Sequence, residues 1–253
     1  MRYSSSGVVI VLASLLLGAC SGAEGPIRPY GENPRYWQYE GEPVYLRGGS
    51  KEDNLFQISN LEAHLDTLAV VGGNYIRNTM SSRDEGNVWP FHRQSNGRYD
   101  LERMNEEYYD RFERLLQLTS ARDIIVQIEL WDRFDYAREP WLKNPFRPAN
   151  NINYTPQESG LKNKYSRHPA NNDNPFFRSI PARNDNQLLL KYQKAHIRRL
   201  LEISLEYGNV LYCMDNETDA NPNWGVYWSD FVKVKAEQAG VTHRSAAVDG
   251  AAA

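Results

Sequence analysis

The sequence contains few cysteines and no excess of charge of one sign. Only Cys20 and Cys213 occur among the 253 residues, so a disulfide framework is excluded. Lysine and arginine number 29 and aspartate and glutamate 32, which gives a formal net charge of -3. Because these charges are interspersed, we expect no nucleic-acid partner.

Phosphate-binding and metal-binding patterns are missing as well. The segment from Leu46 to Ser50, after the first predicted strand, has neither the GxGxxG spacing nor the lysine of a P-loop. The histidines show no metal-ligand spacing, and His196 lies in a predicted helix where packing explains it. The sequence therefore predicts no metal and no cofactor.

The N-terminal residues predict an export signal. The apolar run from Val8 to Leu17 is too short to span a bilayer as a stable helix. It is followed by Leu17-Gly18-Ala19-Cys20, which resembles a lipobox, so residues 1–19 are expected to be removed and Cys20 to be lipidated. The alternative is an ordinary signal peptide that contains a cysteine. The expected location is the cell envelope, with a lipid anchor in the outer membrane or at the cell surface.

The remaining chain divides into three parts by composition. Residues 20–34 are rich in glycine and proline and predict a tether. Residues 35–240 predict one folded domain. Residues 241–253 form an atypical tail with little apolar content, at the point where another strand is due.

The domain begins with a predicted hairpin and a first helix. Two β-favourable runs flank Glu40 to Pro43 and lead into a strand near residues 43–48. Apolar residues spaced three and four apart then predict a helix that Gly72-Gly73 ends, with Ser59 and Glu62 as a capping box.

Strands and helices alternate from there on. Strands are predicted at residues 74–80, 124–131 and 210–214, and the helices include one capped by Asp100. Four β/α units in succession are compatible with two architectures, an open doubly wound sheet or a (β/α) barrel. An eight-stranded barrel needs about 250 residues. Because residues 132–186 form a single Asn/Pro-rich insertion, only four units fit in this chain. The sequence thus predicts an α/β fold of the (β/α)8 TIM-barrel type, truncated after about four units, with an N-terminal β-hairpin.

Polar residues collect where the predicted strands end, and in barrels these ends share one mouth. They are Arg77 after strand two, Trp131 and Asp132 after strand three, and Asn216 and Glu217 after strand four.

At this point the chain resembles the clan A glycoside hydrolases, whose fourth strand ends in Asn-Glu as residues 209–217 do here. The resemblance implies that Glu217 is the general acid/base, that Asn216 binds the substrate 2-hydroxyl, and that Arg77 corresponds to the arginine closing the second strand. The segments 37–46 and 141–177 also resemble cellulase-like lipoproteins. A carbohydrate ligand is implied.

Each of these residues has a second interpretation. Glu217 is alternatively a solvated loop carboxylate or a cap of the following helix. Arg77 is alternatively an ion-pair partner of Asp53 or Asp132, and Trp131, named with Asp132 as substrate-binding, is alternatively part of the core.

The resemblance implies acid/base-assisted retaining hydrolysis of a polysaccharide or oligosaccharide, which needs two carboxyl groups about 5–5.5 Å apart. The family's nucleophile lies on the seventh strand, and no residue here is assigned to it. We therefore expect a glycoside hydrolase-like protein that is inactive as this chain. The alternative is a non-catalytic, glycan-binding or degenerate surface lipoprotein.

Lipidation at Cys20 generates the first testable prediction. Because the acyl anchor depends on one thiol, Cys20→Ala should move the protein from the membrane fraction to the soluble fraction in a bacterial host. Cys213→Ala is the matched control and should fractionate as wild type. If the Cys20→Ala protein stays with membranes after a carbonate wash, the lipobox interpretation is wrong.

Overall fold

The computed structural model describes residues 25–169, 174–217 and 221–241. The predicted signal peptide, Cys20 and residues 242–253 of the predicted tail lie outside these ranges. No helix within them is both long and apolar enough to span a bilayer.

The described residues form eight strands and six α-helices, joined by loops and short 3-10 helices. The strands are β1 (Arg28–Pro29), β2 (Trp37–Tyr39), β3 (Glu42–Val44), β4 (Tyr75–Thr79), β5 (Phe91–Arg93), β6 (Tyr99–Met104), β7 (Ile125–Glu129) and β8 (Val210–Cys213). The helices are α1 (Leu61–Val70), α2 (Glu106–Ser120), α3 (Arg138–Lys143), α4 (Pro156–Ser159), α5 (Gln187–Ser204) and α6 (Pro222–Gln238).

A parallel sheet with the order β4-β7-β8 forms the centre of the fold. The predicted first strand joins it only through a parallel bridge between Gly48 and Tyr75, because residues 42–44 pair in the hairpin instead. Side chains alternate along these strands. One set packs in the main core under the helices, and it comprises Ile76, Val126, Ile128, Val210 and Tyr212.

The predicted N-terminal hairpin is confirmed. β2 and β3 pair antiparallel around Glu40 and Gly41, which have φ values of 50° and 86°. Positive φ at both residues is the geometry of a type I′ turn, and glycine suits its second position. The hairpin packs on Ile125 and Leu211, near the amino ends of β7 and β8, and so covers the end of the sheet opposite the mouth.

The predicted tether is wrong for the residues around Ile27. β1 pairs with β2, and the Ile27 side chain is only 1% exposed in the small core beneath the hairpin. The Ile27 amide also donates to the Gly208 carbonyl at 2.8 Å. The burial of one apolar side chain outweighs the tendency of the surrounding glycine and proline residues to form an extended, solvated segment.

Two helix-start predictions are also wrong. Helix α1 begins at Leu61 with Asn60 as the N-cap residue and no side-chain cap, so Ser59 lies too far upstream for a capping box. Asp100 lies in β6, which forms a hairpin with β5, and its Oδ1 accepts from the Glu102 amide at 3.0 Å.

The long Asn/Pro-rich insertion is folded onto the carboxyl end of the sheet. It contains α3, α4 and short 3-10 helices. Five of its large aromatic residues are less than 8% exposed, so they anchor the loop in the core: Trp141, Tyr154, Tyr165, Phe176 and Phe177.

The close approach at Gly48 generates the second prediction. A Cβ at residue 48 would lie 1.6 Å from the Tyr75 carbonyl oxygen, whereas one at Gly49 would meet nothing within 4 Å. Gly48→Ala should therefore lower the free energy of unfolding by about 1–3 kcal/mol, and Gly49→Ala should change it by less than about 0.5 kcal/mol. Urea unfolding followed by tryptophan fluorescence measures both. Equal stability of the two variants would contradict the bridge.

Candidate active site

The candidate site lies at the carboxyl ends of the parallel strands. Beyond the last regular pairs, a further bridge joins Asp132 to Asn216, and the Asn216 amide donates to the Trp131 carbonyl at 2.9 Å. The ladder between β7 and β8 therefore continues into the two predicted site segments, which brings Asp132 and Asn216 side by side.

Arg77 projects from β4 and joins three elements. Its Nη2 donates to Asp53 Oδ1 at 2.8 Å, and its Nη1 donates to Asn216 Oδ1 at 3.2 Å. Glu129 Oε1 lies 3.6 Å from the same Nη1. Burial lowers the pKa of Arg77, but Glu129, Asp53 and Glu217 more than reverse that effect, so the pKa is raised overall. The guanidinium keeps its charge and holds the strand ends together.

Asn216 is held in one orientation. Its side chain is buried, with Oδ1 accepting from Arg77 and Nδ2 lying 3.4 Å from Asp132 Oδ1. A donor on one side and a carboxylate on the other distinguish the amide oxygen from the amide nitrogen.

Glu217 is exposed and follows Asn216 directly. No hydrogen-bond partner of its carboxylate lies among the described residues. Its backbone φ is 41°, in the left-handed region that costs a non-glycine residue about 1–2 kcal/mol. Four other described non-glycine residues also have positive φ, among them Glu40 in the hairpin turn.

A second arginine, not predicted from the sequence, completes the site. Arg83 Nη2 lies 3.0 Å from Asp53 Oδ2, and its Nη1 is paired with Asp132 and lies 3.6 Å from Asp135. Asp53 therefore bridges Arg77 and Arg83. The alternative interpretation of Arg77, as an ion-pair partner of Asp53, is correct. Asp132, the other partner considered, pairs with Arg83 instead.

Asp132 and Asp135 are both buried, and both face Arg83. Asp135 also accepts from the Ser81 hydroxyl at 2.7 Å and the Ser82 amide at 3.0 Å. Burial, followed by the charge of Asp132, raises the pKa of Asp135 above its usual range. Asp135 therefore keeps its proton to a higher pH than an ordinary aspartate does.

Glu129 is a buried carboxyl group beneath the mouth. Gln127 Nε2 donates to its Oε1 at 3.2 Å, and its Oε2 has no partner among the described residues. Burial raises the pKa of Glu129 to about 7, although Arg77 and Gln127 oppose the rise. The pKa of Glu129 therefore lies close to neutral pH.

Trp131 does not line the mouth. Its side chain is 1% exposed and packs among aromatic rings, with centroid distances of 5.2 Å to Trp228 and 5.4 Å to Phe176. Neither ring face is open to a sugar, so the structure favours the core interpretation over stacking. A ring of this size following a buried strand finds more apolar contact beneath the insertion than at the surface.

The histidines occupy other places. His196 is buried in the same aromatic cluster, where burial lowers its pKa to about 3, and Tyr109 Oη lies 2.9 Å from its Nδ1. In the parts of the chain that the structure describes, no group of three His, Cys, Asp or Glu residues could hold a metal ion.

Solved structures share this arrangement of strands and helices. The chain is similar to a glycoside hydrolase family 5 mannosidase from Rhizomucor miehei, with a TM-score of 0.57 and 16% identity over 85% of this chain and 54% of that chain. The chain shares the fold of this structure and spans about half of its length. An endo-1,4-beta-mannanase from Rhizomucor miehei gives a TM-score of 0.51 and 14% identity, over 82% of this chain and 57% of that chain.

A third match is a mutant of the Rhizomucor miehei mannosidase in complex with mannosyl-fructose, with a TM-score of 0.53 and 17% identity. It covers 84% of this chain and 53% of that chain. No protein-family model and no curated protein matches the sequence. The similarity to the solved structures confirms the expected (β/α) barrel fold. The barrel is partial, because the described parallel sheet does not close.

The raised pKa of Glu129 generates the third prediction. Between the pKa of an unfolded glutamate, about 4.3, and about 7, the folded state binds more protons than the unfolded state. Its stability therefore falls as the pH rises through that window. Glu129→Gln removes this loss, and its stability relative to wild type should rise by about 1–3 kcal/mol from pH 5 to pH 8.

Urea unfolding at both pH values provides the measurement, and Glu206→Gln, at an exposed position, is the control. A difference between Glu129→Gln and wild type that stays constant with pH would show that Glu129 is ionised throughout.

Proposed function

We propose that this chain is part of a glycoside hydrolase that acts on an oligosaccharide or polysaccharide. The supporting observation is the position of Glu217. It follows β8, the last strand of the parallel sheet, and it is exposed and next to an asparagine that Arg77 and Asp132 hold in place.

In this proposal Glu217 is the general acid/base. When a second carboxylate, not assigned here, bonds to the anomeric carbon, Glu217 protonates the glycosidic oxygen of the leaving sugar; it then removes a proton from the water that displaces that carboxylate. Asn216 carries two N–H donors, of which Asp132 faces one, and we assign the other to the sugar 2-hydroxyl. Arg77 is a positioning residue, because it contacts Asn216 and adds positive charge beside Glu217.

The second carboxylate of a retaining mechanism is not assigned. Asp53, Asp132 and Asp135 all face Arg77 or Arg83, and Glu129 is buried and only partly ionised near neutral pH. A protonated carboxyl group is not a nucleophile, and the three aspartates are already held by the arginines at the strand ends. An acid/base alone contributes about 10²–10⁴-fold, against the 10⁶-fold or more typical of enzymes. We therefore propose that the 253-residue chain alone does not turn over glycosides.

The same pairing of carboxylates favours a second candidate function, which is glycan binding without hydrolysis. In either case we propose that a lipid on Cys20 holds the protein at the cell envelope, where polysaccharides are accessible to it.

Binding and turnover on manno- and cello-oligosaccharides test the proposal. We expect the chain to bind them, and Asn216→Ala to weaken binding about tenfold, as the loss of one buried hydrogen-bonded group does. Sugar release should be no faster than for Glu217→Gln, and Glu206→Gln is the control for losing an exposed carboxylate.

Two results would contradict the proposal. If neither oligosaccharide binds and no sugar is released, the site is not a carbohydrate site. If the chain releases sugar at enzyme-like rates that Glu217→Gln abolishes, it is a complete catalyst and a nucleophile lies among these residues.

A further inference from the structure

The end of the domain opposite the mouth carries an exposed apolar surface. Seven large apolar side chains are exposed among the described residues, and four of them lie at this end: Tyr36, Tyr45, Val70 and Val71. We call these four residues the basal patch. Apolar side chains scattered singly over a surface need no explanation, whereas a cluster of them marks an interaction site.

Two members of the basal patch stand side by side on the hairpin. β2 and β3 pair Trp37 with Val44, and the next position in the same register places Tyr36 opposite Tyr45. Side chains alternate between the two faces of a strand. Because Trp37 and Val44 pack on the small core beneath the hairpin, the two tyrosines lie on its other face, which points away from the domain. They are 46% and 69% exposed.

The other two members lie at the end of helix α1. Val70 is its last residue and Val71 is the C-cap, and they are 87% and 75% exposed. Asn74 follows three residues later, and its side chain donates to the Tyr45 carbonyl at 3.2 Å while its backbone amide donates to the Arg47 carbonyl at 2.7 Å. The end of α1 is therefore fixed beside the segment that follows β3, so the valines and the tyrosines share one end of the domain.

The chain that precedes the domain determines what can cover the basal patch. The Glu40 amide, in the hairpin turn, donates to the Gly25 carbonyl at 3.1 Å. Cys20 precedes Gly25 by five residues, which span at most about 18 Å when fully extended. A lipid on Cys20, as proposed above, would thus bring a membrane within reach of this end of the domain.

Charge does not provide the attraction to such a membrane. The hairpin and its flanking residues carry three arginines and three glutamates, which are exposed or half-buried: Arg28, Arg35, Arg47, Glu32, Glu40 and Glu42. Equal numbers of the two signs give no net attraction to anionic head groups. Tyrosine rings, in contrast, suit the boundary of a bilayer, because the ring is apolar and the hydroxyl group remains hydrated.

We propose that the basal patch is a membrane-contact surface. With the chain anchored through Cys20, the side chains of Tyr36, Tyr45, Val70 and Val71 lie in the interfacial region of the bilayer, and the contact is apolar rather than ionic. Its occurrence in the cell rests on the proposed lipidation of Cys20, whereas the patch itself does not.

Hydroxyl-radical footprinting of a chemically anchored chain tests the proposal without depending on lipidation in the cell. The processed chain, which begins at Cys20 and carries Cys213→Ala, is coupled through its single thiol to a maleimide phospholipid in phosphatidylcholine vesicles. The reference is the same chain with Cys20 capped by a small maleimide and mixed with the same vesicles. We expect anchoring to lower the modification of the basal patch several-fold, as measured by mass spectrometry. Ile152 and Val226, which are exposed outside the patch, should be modified as in the reference.

Tyr45→Asp distinguishes contact with the bilayer from mere proximity to it. A charge in the patch opposes its burial in lipid, so the modification of Val70 and Val71 should return to the level of the reference chain. Ile152→Asp, which places the same charge on an exposed apolar residue outside the patch, is the matched control and should leave the patch protected. If Val70 and Val71 stay protected in Tyr45→Asp, the anchor alone shields them and the proposal is wrong.

Three other results would overturn the proposal. Equal modification of the patch in the anchored and reference chains would show that it faces water. Protection of Ile152 and Val226 in place of the patch would show that another face meets the membrane. Protection of the patch in the reference chain, with a dimer in light scattering without vesicles, would show that a second copy covers it. The lipidation itself is tested separately, by the fractionation of Cys20→Ala.

Discussion

The mouth of this partial barrel depends on the ionic bridge that Asp53 makes between Arg77 and Arg83. Through it the loop that holds Asp53 is connected to β4 and to the ends of β7 and β8. These segments are far apart in the sequence. Burying charge is tolerated only where it is compensated. Two arginines face four carboxyl groups, Asp53, Glu129, Asp132 and Asp135, so negative charge is in excess. The pKa values of Glu129 and Asp135 are raised, and these two groups reduce the excess by retaining protons.

The long insertion contributes to this bridge rather than covering it. Asp132 and Asp135 stand at its beginning, and the aromatic residues farther along it are buried around Trp131. Arg133 is stacked over Phe177 at 4.0 Å and paired with Asp215 at 2.7 Å, so the insertion is also joined to the segment before Asn216. The loop that appears irregular in sequence is therefore a structural wall of the site.

Much of the fold could be predicted because burial imposes a period on the sequence. β4, β7 and β8 were predicted to within about two residues, and parallel strand ends brought Arg77 and Asn216 together as expected. The period is ambiguous in the segment around Asp100, where Tyr99 and Leu101 fit a strand and Leu101 with Met104 fits a helix. Arg83 and Asp53 lie in loops without any period, and only the folded geometry shows that they face each other.

The burial of Ile27 has a directional consequence. The chain is attached there, through the bond to Gly208, at the amino end of the sheet, and only six residues separate Ile27 from Cys20. Six residues reach at most about 20–22 Å. With a lipid on Cys20, the hairpin side of the domain would be held next to the bilayer. Glu217 and Asn216 would then open away from the lipid surface, toward polymers approaching from outside.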